Sequence, residues 1–458
     1  ALLDDVGVQA WQGAPAIQGI SGSLIGSPSK GQLRVASDEW GMHLPKLFPQ
    51  AWSYDRLTGQ MDWQWSEAKG LRLSAPGFRV ESEEGIGAAA LQLELPMNGI
   101  TPTMALRVSL HDTQARFTTR YLPTRAPVLS SKLAQWIDQA RIEGLVPLAI
   151  FSYQGSLLRD ALPAERKFSL YARLEDGGLT FQRGWPRLQA VDGTLRVDNL
   201  LVRIDQASAQ LWDTVLTDVR VTIDRAQPTD PLELNVKGEV SGPLQDGLRL
   251  MQETPLADLT KNTLQGWMGD GRVEGQLAML LNLVEGAAPL VDVAWRVDAS
   301  TLSIPLLQTT LSDLAGQFSY TSTNGVQAEG LRGLFLGNPV AGSISSQDGR
   351  PEATFTGRHS IDALQDWPMI SGLPEGLLSG ELAWEARGVI ATPTISLQID
   401  SDLVGVAIDL PSPLAKTADE SLPSRLTLTR RGESQNWRLN LGSDLQAVVQ
   451  TGGPRMRG

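Results

Sequence analysis

The chain has 458 residues, a formal net charge of −12 and a pI near 4.9. Its 39 Lys and Arg residues are scattered along an acidic chain that would repel a phosphate backbone, so we predict no nucleic-acid binding. Cysteine is absent, which excludes disulfides, thiolate metal sites and thiol catalysis.

The apolar stretches are too short to span a bilayer. The longest of them, residues 277–284 and 144–151, fall well below the roughly 18 to 20 residues that a membrane helix needs. The sequence opens Ala-Leu-Leu-Asp-Asp, without a basic segment followed by an apolar core. We therefore expect no membrane crossing, and a fragment whose signal or anchor is absent or removed.

Alternation of apolar and polar residues runs along most of the chain. A period of two places all apolar side chains of a strand on one face. Such segments recur often enough to predict roughly 30 strands. We predict a mainly β chain: a single long, twisted, mostly antiparallel sheet, curved into a U-shaped repeating β-groove with a few short helices. Clear examples are residues 61–65, 91–95, 195–198, 202–205, 395–400 and 437–440.

Glycines flanked by apolar residues recur within these segments. Gly193, Gly238, Gly275 and Gly316 are separated by 45, 37 and 41 residues, which indicates a quasi-repeat of about 40 residues. A glycine inside a strand marks a bulge, a bend or a close approach of two backbones, and a regular series would curve the sheet. The alternative is that these glycines only punctuate the strand ends.

One helix stands out after residue 121. Ser130 or Ser131 can cap it, and Leu133, Trp136 and Ile137 lie on one helical face, which predicts a helix over about residues 130–141. We therefore divide the chain into a β-groove segment at 1–120, a helix-containing insertion or junction at 121–160, and a second, continuous β-groove segment at 161–458.

Shorter helices are predicted to begin at Thr254-Pro255-Leu256 and at Ser360-Ile361-Asp362. The predicted helices have two interpretations. They can act as lids on a groove, or they can cover an edge or a bend of the sheet locally.

The sequence shows no reactive or metal-ligating residues at the spacing of a known catalytic or binding motif. His43, His111 and His359 lie far apart, and no nucleophile elbow, phosphate-binding loop or zinc-protease motif is present. We predict no catalytic activity, no metal and no cofactor.

The predicted sheet instead lacks a partner for its apolar face. In ordinary domains a second sheet or a helical layer covers that face, and a large uncovered apolar surface usually marks a binding function. We predict that Arg196, Asp198 and Gln398 point outward. The predicted groove lining, on the strands that follow the glycines and on one further alternating strand, is Leu195, Val197, Leu277, Met279, Phe318, Tyr320, Leu382, Trp384, Leu397 and Ile399.

Several segments resemble one known family. The most specific are Gly184-Trp-Pro186, followed by Leu188, Val191 and Gly193, and the segment Leu-Pro-Ser-Pro-Leu at 410–414. The motif Tyr-Leu-Pro at 121–123, leading into the predicted helix, adds to them. Through these segments the chain resembles the YhdP-like members of the AsmA-like superfamily, over its whole length.

The resemblance implies a periplasmic β-groove in which phospholipids travel between the inner and outer membranes, acyl tails inside and headgroups in solvent. It also implies an inner-membrane anchor in the full-length protein, and contacts with both membranes through parts outside this sequence. Since no ATP motif appears, we expect a passive conduit. The rival hypothesis is an assembly scaffold or chaperone for outer-membrane proteins that uses the same face and the sheet edges.

Overall fold

The computed structural model describes most of the chain, and all structural statements below refer to the residues it describes. These are residues 1–11, 13–97, 99–125, 131–158, 160–225, 227, 229–259, 264–284, 286–347, 350–368, 376–391, 394–411, 414–431, 434–443 and 445–451.

Long strands dominate these residues, because period-two alternation continues through nearly every segment between turns. The chain divides into two compact units. The first unit is Ala1–Leu211 with Thr217–Val236, and the second is Trp212–Leu216 with Lys237–Gly458.

Eleven strands lie wholly in the first unit. They are β1 (Leu2–Val8), β2 (Ala16–Ser27), β3 (Lys30–His43), β4 (Trp52–Ser66), β5 (Gly70–Ser82), β6 (Gly85–Leu95), β7 (Thr103–Gln114), β8 (Glu143–Ser156), β9 (Arg166–Leu179), β10 (Leu188–Asp198) and β11 (Leu201–Leu211). Two strands have residues in both units, β12 (Thr214–Asp224) and β13 (Glu233–Pro243).

Twelve strands lie in the second unit. They are β14 (Met268–Asn282), β15 (Leu290–Ile304), β16 (Thr309–Thr321), β17 (Gly325–Phe335), β18 (Asn338–Gln347), β19 (Arg350–Ser360), β20 (Leu378–Ala391), β21 (Thr394–Ser401), β22 (Val406–Ile408), β23 (Ser424–Arg431), β24 (Ser434–Leu441) and β25 (Leu445–Thr451).

Each unit is an antiparallel meander. In the first, β1 to β11 pair in sequence order. In the second, β14 to β21 pair in order, β21 pairs with β23, and β23 to β25 follow, while the short β22 pairs with the start of β20. The predicted fold class, mainly β with long antiparallel pairing and few short helices, is confirmed.

The α-helices are α1 (Ser131–Ala140), α2 (Leu244–Glu253), α3 (Leu256–Leu259) and α4 (Ile361–Gln365). The predicted helix at 130–141 is confirmed as α1, although Ser130 lies outside the described residues. The starts predicted at Leu256 and Ile361 are also confirmed, and the Ser360 hydroxyl caps α4 by accepting a hydrogen bond from the Ala363 amide at 3.2 Å. No helix in the described ranges is both long and apolar enough to cross a membrane.

α1 does not break the sheet. It lies in the connection between β7 and β8, and these two strands pair directly, from Thr103 with Ser156 to Gln114 with Leu145. The division at 1–120, 121–160 and 161–458 stays a prediction, and the described strands number 25 where roughly 30 were expected.

In a meander, successive connections alternate between the two ends of the strands. Within each unit the α-helices therefore lie at one end of the strands, which we call the helical rim of that unit: α1 in the first unit, and α2, α3 and α4 in the second. It carries the described residues of the connections 9–15, 44–51, 83–84, 115–142 and 180–187 in the first unit, and of 212–213, 244–267, 305–308, 336–337, 361–377, 402–423 and 442–444 in the second. The opposite end, the hairpin rim, carries the remaining connections.

Candidate functional site

One face of the first unit is apolar across all eleven of its paired strands. Residues directly opposite each other in a ladder share a face, so the pairing register traces a row across the sheet. One such row contains no polar side chain: Leu3, Gly22, Val35, Gly59, Phe78, Ala89, Val108, Phe151, Leu170, Val197 and Val202. We call the side of the sheet that carries this row the apolar face.

The second unit has a matching row across eleven strands. It too contains no polar residue: Gly275, Trp295, Phe318, Ala328, Ile344, Ala353, Gly388, Leu397, Leu428, Trp437 and Val449. Each unit therefore presents a continuous apolar surface at least one residue wide from its first paired strand to its last.

The opposite side of each sheet, the polar face, carries many charged side chains, and several of them form ion pairs. Arg387 and Glu385 form an ion pair within one strand, β20. Arg425 of β23 forms one with Asp400 on the neighbouring strand β21, where Nε and Oδ1 are 2.6 Å apart. Eight polar-face arginines form such pairs: Arg56, Arg72, Arg79, Arg173, Arg196, Arg358, Arg387 and Arg425.

The structure places all ten residues of the predicted lining on the apolar faces. Leu195 and Val197 lie in the first unit, opposite Ile204 and Val202 of β11. The other eight lie in the second unit and form two groups: Leu277, Met279, Phe318 and Tyr320 on β14 and β16, and Leu382, Trp384, Leu397 and Ile399 on β20 and β21. Contact of these ten residues with a ligand stays a prediction.

The three residues predicted to point outward lie on the polar faces. Arg196 pairs with Arg203 of β11, Asp198 pairs with Leu201, and Gln398 pairs with Arg387 of β20.

Glycines on the apolar face lie beneath aromatic rings of the neighbouring strand. The Trp63 ring lies over Gly31, the Phe355 ring over Gly342, and the Trp384 ring over Gly357, where a Cβ atom would stand 2.7 Å from that ring. These glycines mark close approach, because a side chain in their place would displace the ring, and Gly342 and Gly357 lie inside β18 and β19. The ring in turn covers the gap that the missing side chain leaves, as in aromatic rescue of glycine.

Most of the apolar face is open. Phe151 in the middle of β8 keeps 37% of its surface exposed, and Leu277, Met279, Leu397 and Ile399 are only half-buried. Helices pack on it only near the helical rim. There, Leu244 of α2 joins a cluster around buried Val297 and Leu314, and this cluster also contacts Phe318.

α4 covers the second such place. Its Ile361 and Leu364 are buried together with Val406, and Leu382 packs against them. Of the predicted lining, Phe318 and Leu382 are thus partly covered by protein, which sequence periodicity did not indicate.

An aromatic group beside α4 uses one histidine structurally. The Trp384 indole N–H donates to His359 Nδ1 at 3.0 Å, so Nδ1 is the acceptor and Nε2 carries the proton that His359 donates to the Phe335 carbonyl at 2.7 Å. His359 is 1% exposed, and both of its ring nitrogens are satisfied. It therefore packs the rim of the apolar face.

A buried polar cluster lies at the helical rim of the first unit. The carboxylate of Glu84 accepts hydrogen bonds from the Arg120 guanidinium and from the Tyr121 hydroxyl. Burial raises the pKa of Tyr54 to about 12, and burial together with the Glu84 carboxylate raises the pKa of Tyr121 as well. The cluster fixes the 3₁₀ helix Ala115–Tyr121 onto the strand ends.

The sequence analysis did not predict two features of the site. Helix α2 was not predicted, although Leu244, Leu248 and Met251 have helical spacing and Asp246 stands in the first turn. Gly247 inside the helix obscured this signal. The other feature is Lys416, a buried ammonium group held by three backbone carbonyls.

No group of three or more His, Cys, Asp or Glu side chains in the described ranges could hold a metal ion. His43 contacts the Phe48 carbonyl and His111 contacts the Ser109 hydroxyl, each at 3.3 Å.

Comparison with known proteins gives two findings. A family model described as YhdP protein matches residues 1–456. The intermembrane phospholipid transporter YhdP of Escherichia coli (strain K12) is 26% identical over 440 residues, which are 92% of this chain and 33% of that protein. The chain therefore spans about a third of the length of this relative. No solved structure matches it.

Proposed function

Because the chain belongs to the YhdP family, we propose that its two apolar faces bind the acyl chains of phospholipids and form part of a passive path between the inner and outer membranes. The headgroups stay in solvent. We assign no catalytic step to the chain. Its relative in Escherichia coli carries the name of an intermembrane phospholipid transporter, which supports this substrate class.

The observation that best supports this proposal is the unbroken apolar row in each unit. Burying one CH₂ group is worth about 0.8 kcal/mol, so two acyl chains of ~16 carbons would cost on the order of 25 kcal/mol to draw through water. An apolar surface offsets that cost at every strand. Hydrophobic contact is non-directional, so the free energy of a bound lipid changes little from one strand to the next.

The proposal extends to place and partners. A path between two membranes of the cell envelope lies in the periplasm, and we propose that the full-length protein is anchored in the inner membrane. Contacts with either membrane would come from parts of the protein outside this chain. The ligand on the apolar face is a phospholipid, and neither nucleic acid nor a cofactor has a role.

Site-specific photo-crosslinking tests the proposal. Benzoylphenylalanine at Phe151 or Leu397 stands on an apolar face, and the same group at Ser152 or Gln398 stands one residue away on the polar face. We expect phospholipid adducts at the first pair and few at the second, in the full-length protein in cells. Protein adducts without lipid at the apolar positions would favour the scaffold hypothesis.

A further inference from the structure

The helical rims of the two units carry opposite charge. In the first unit, the described residues of the rim connections include three carboxylates, Glu83, Glu84 and Asp138. They include eight cations, namely Lys46, Arg116, Arg120, Arg125, Lys132, Arg141, Arg183 and Arg187.

In the second unit the balance is reversed. The described cations of its rim connections are Arg249 and Lys416, of which Arg249 pairs with Glu253 and Lys416 is buried. The carboxylates there are Asp213, Asp246, Glu253, Asp258, Asp362, Asp366, Asp402, Asp409, Asp419 and Glu420.

The rim cations of the first unit are largely unpaired. Arg120 pairs with Glu84 and Arg187 with Glu143, but the other six form no ion pair with any described residue. On the polar faces, eight arginines hold a carboxylate, while others such as Arg107, Arg203 and Arg296 hold none among the described residues. Guanidinium groups without a carboxylate partner are suited to a phosphate, which they bind through two parallel N–H donors.

The same rim carries a partly exposed apolar group. Leu133 and Trp136 of α1 are 46% and 44% exposed, although they belong to the apolar side of the helix. The Trp136 indole donates to the Phe181 carbonyl at 2.8 Å, two residues before Arg183, and the Thr180 amide donates to the Ala140 carbonyl at 2.9 Å. The connection 180–187 and α1 thus form one surface.

Arg125 joins this surface to the loop 44–51. Its guanidinium donates to the Pro45 carbonyl at 2.8 Å, next to exposed Lys46, and its amide donates to the Leu47 carbonyl at 3.1 Å. Basic groups beside exposed Trp and Leu side chains are the composition found where protein meets lipid headgroups.

We propose that this surface, made by residues 44–47, 115–125, 132–141 and 180–187, binds the phosphate of a phospholipid whose tails lie on the apolar face of the first unit, and that it favours anionic over zwitterionic headgroups. The inference rests on the proposed function and refines it. The ammonium group of a zwitterionic lipid is repelled by neighbouring unpaired cations, whereas an anionic headgroup meets no such opposition. In the second unit, the acidic rim offers no comparable site.

A matched pair of triple variants tests it. Arg116→Gln, Arg125→Gln and Arg183→Gln remove three unpaired rim charges. Arg34→Gln, Arg107→Gln and Arg203→Gln remove three exposed arginines of the polar face that form no ion pair in the described part of the chain. Both triples change the net charge equally.

The purified chain is incubated with vesicles of equal phosphatidylglycerol and phosphatidylethanolamine, re-isolated, and its bound lipids are quantified by mass spectrometry. We expect the unmodified chain to be enriched in phosphatidylglycerol. The rim triple should lower the ratio of the two lipids by roughly threefold to tenfold, as expected for a few exposed charge contacts, while total lipid stays within about twofold. The polar-face triple should leave the ratio unchanged, and raised salt should remove the preference.

Three outcomes would overturn the inference. If the unmodified chain and the rim triple bind phosphatidylglycerol and phosphatidylethanolamine in the same ratio, the proposed function stands but the proposed headgroup site is refuted. Loss of vesicle cosedimentation in the rim triple with an unchanged ratio of bound lipids would assign the surface to a bilayer and not to a carried lipid. Absence of bound lipid from every protein would refute the proposed function together with this inference. Circular dichroism melts confirm that both triples fold.

Discussion

Single residues of the apolar face combine two roles, because a glycine beneath a ring both lets the neighbouring backbone approach and leaves room for an aromatic side chain. The Trp295 ring stacks on Phe318 at 5.5 Å and 8°, and the strand before them contributes Gly275 to the same row. Flat rings over glycines give a level surface, which is what a ligand that slides along the sheet requires.

The first prediction concerns such a glycine. Gly342→Ala places a Cβ atom 2.5 Å from the Thr354 carbonyl and against the Phe355 ring, so the strand or the ring must shift. We expect a loss of about 1 to 3 kcal/mol in the free energy of unfolding, measured by urea denaturation. Gly388→Ala is the control, since its Cβ would meet only Leu397 Cδ1 at 3.9 Å. Equal losses in the two variants would contradict this account.

A second prediction concerns Tyr54. Burial raises its pKa to about 12, so the folded state keeps the proton while the unfolded chain loses it near pH 10. Above pH 10 the unfolded state therefore binds fewer protons, and stability falls as pH rises towards 12, by up to about 1.4 kcal/mol per pH unit. In Tyr54→Phe this fall should be shallower. Urea denaturation at pH 8, 10 and 11.5 measures the slope, and identical slopes would exclude Tyr54 as its source.

At the scale of elements, the helices cap one end of the apolar face and do not form a layer over it. α2 is tied to the strand ends by Asp246, whose carboxylate accepts from the Asp213 amide at 3.0 Å and the Thr214 hydroxyl at 2.9 Å. α4 is held by Trp367, whose indole donates to the Leu307 carbonyl at 2.8 Å. Buried hydrogen bonds of this kind fix each helix at the rim, so the central strands stay open.

Lys416 likewise fixes the connection 402–423 at the helical rim of the second unit. Its ammonium group donates to the carbonyls of Leu403, Val406 and Thr417 at 2.8, 2.7 and 2.9 Å. Lys416→Met should leave these carbonyls without their donor and cost about 2 to 4 kcal/mol, measured as a fall in the thermal midpoint. The exposed Lys69→Met should be nearly neutral, and a neutral Lys416→Met would show that water replaces the ammonium group.

The strands could be predicted from the sequence better than the packing of the helices at the rims. Alternation alone placed Leu195, Leu277 and Leu397 each on the apolar side of its own strand, because a period of two fixes the side on which each residue lies once a strand forms. It could not show that α2 and α4 pack over the ends of that face, since those contacts join residues far apart in the chain. The partial cover of Phe318 and Leu382 is therefore a property that only tertiary structure revealed.

At the scale of the whole molecule, each unit keeps one face free of polar side chains along a row of eleven strands. A single charge on that row's face is expected to obstruct a passing acyl chain, because an unpaired charge in an apolar setting carries a desolvation penalty of several kcal/mol. Leu277 is better suited to this test than Phe318 or Leu382, since it belongs to neither of the buried clusters against which those two residues pack, and the chain should fold normally.

We therefore predict that Leu277→Asp slows lipid passage about a hundredfold or more while leaving the thermal midpoint within a few degrees. Gln276→Asp, one residue away on the polar face, should be silent. The measurements are outer-membrane integrity and lipid crosslinking on strands beyond the block, in cells that carry each variant in the full-length protein. Normal passage in a stably expressed Leu277→Asp protein would count against the sliding of tails on this face.

The meander described above also determines how such a chain can fold. Nearly every described pairing joins strands that follow each other in sequence, so most pairings close a short loop and none of these needs a distant partner. Sheets with many non-local pairings fold slowly, whereas a ladder of neighbours can grow one strand at a time from the end that emerges first. The newest strand always has a formed edge to join, so the chain can assemble while it is still being delivered.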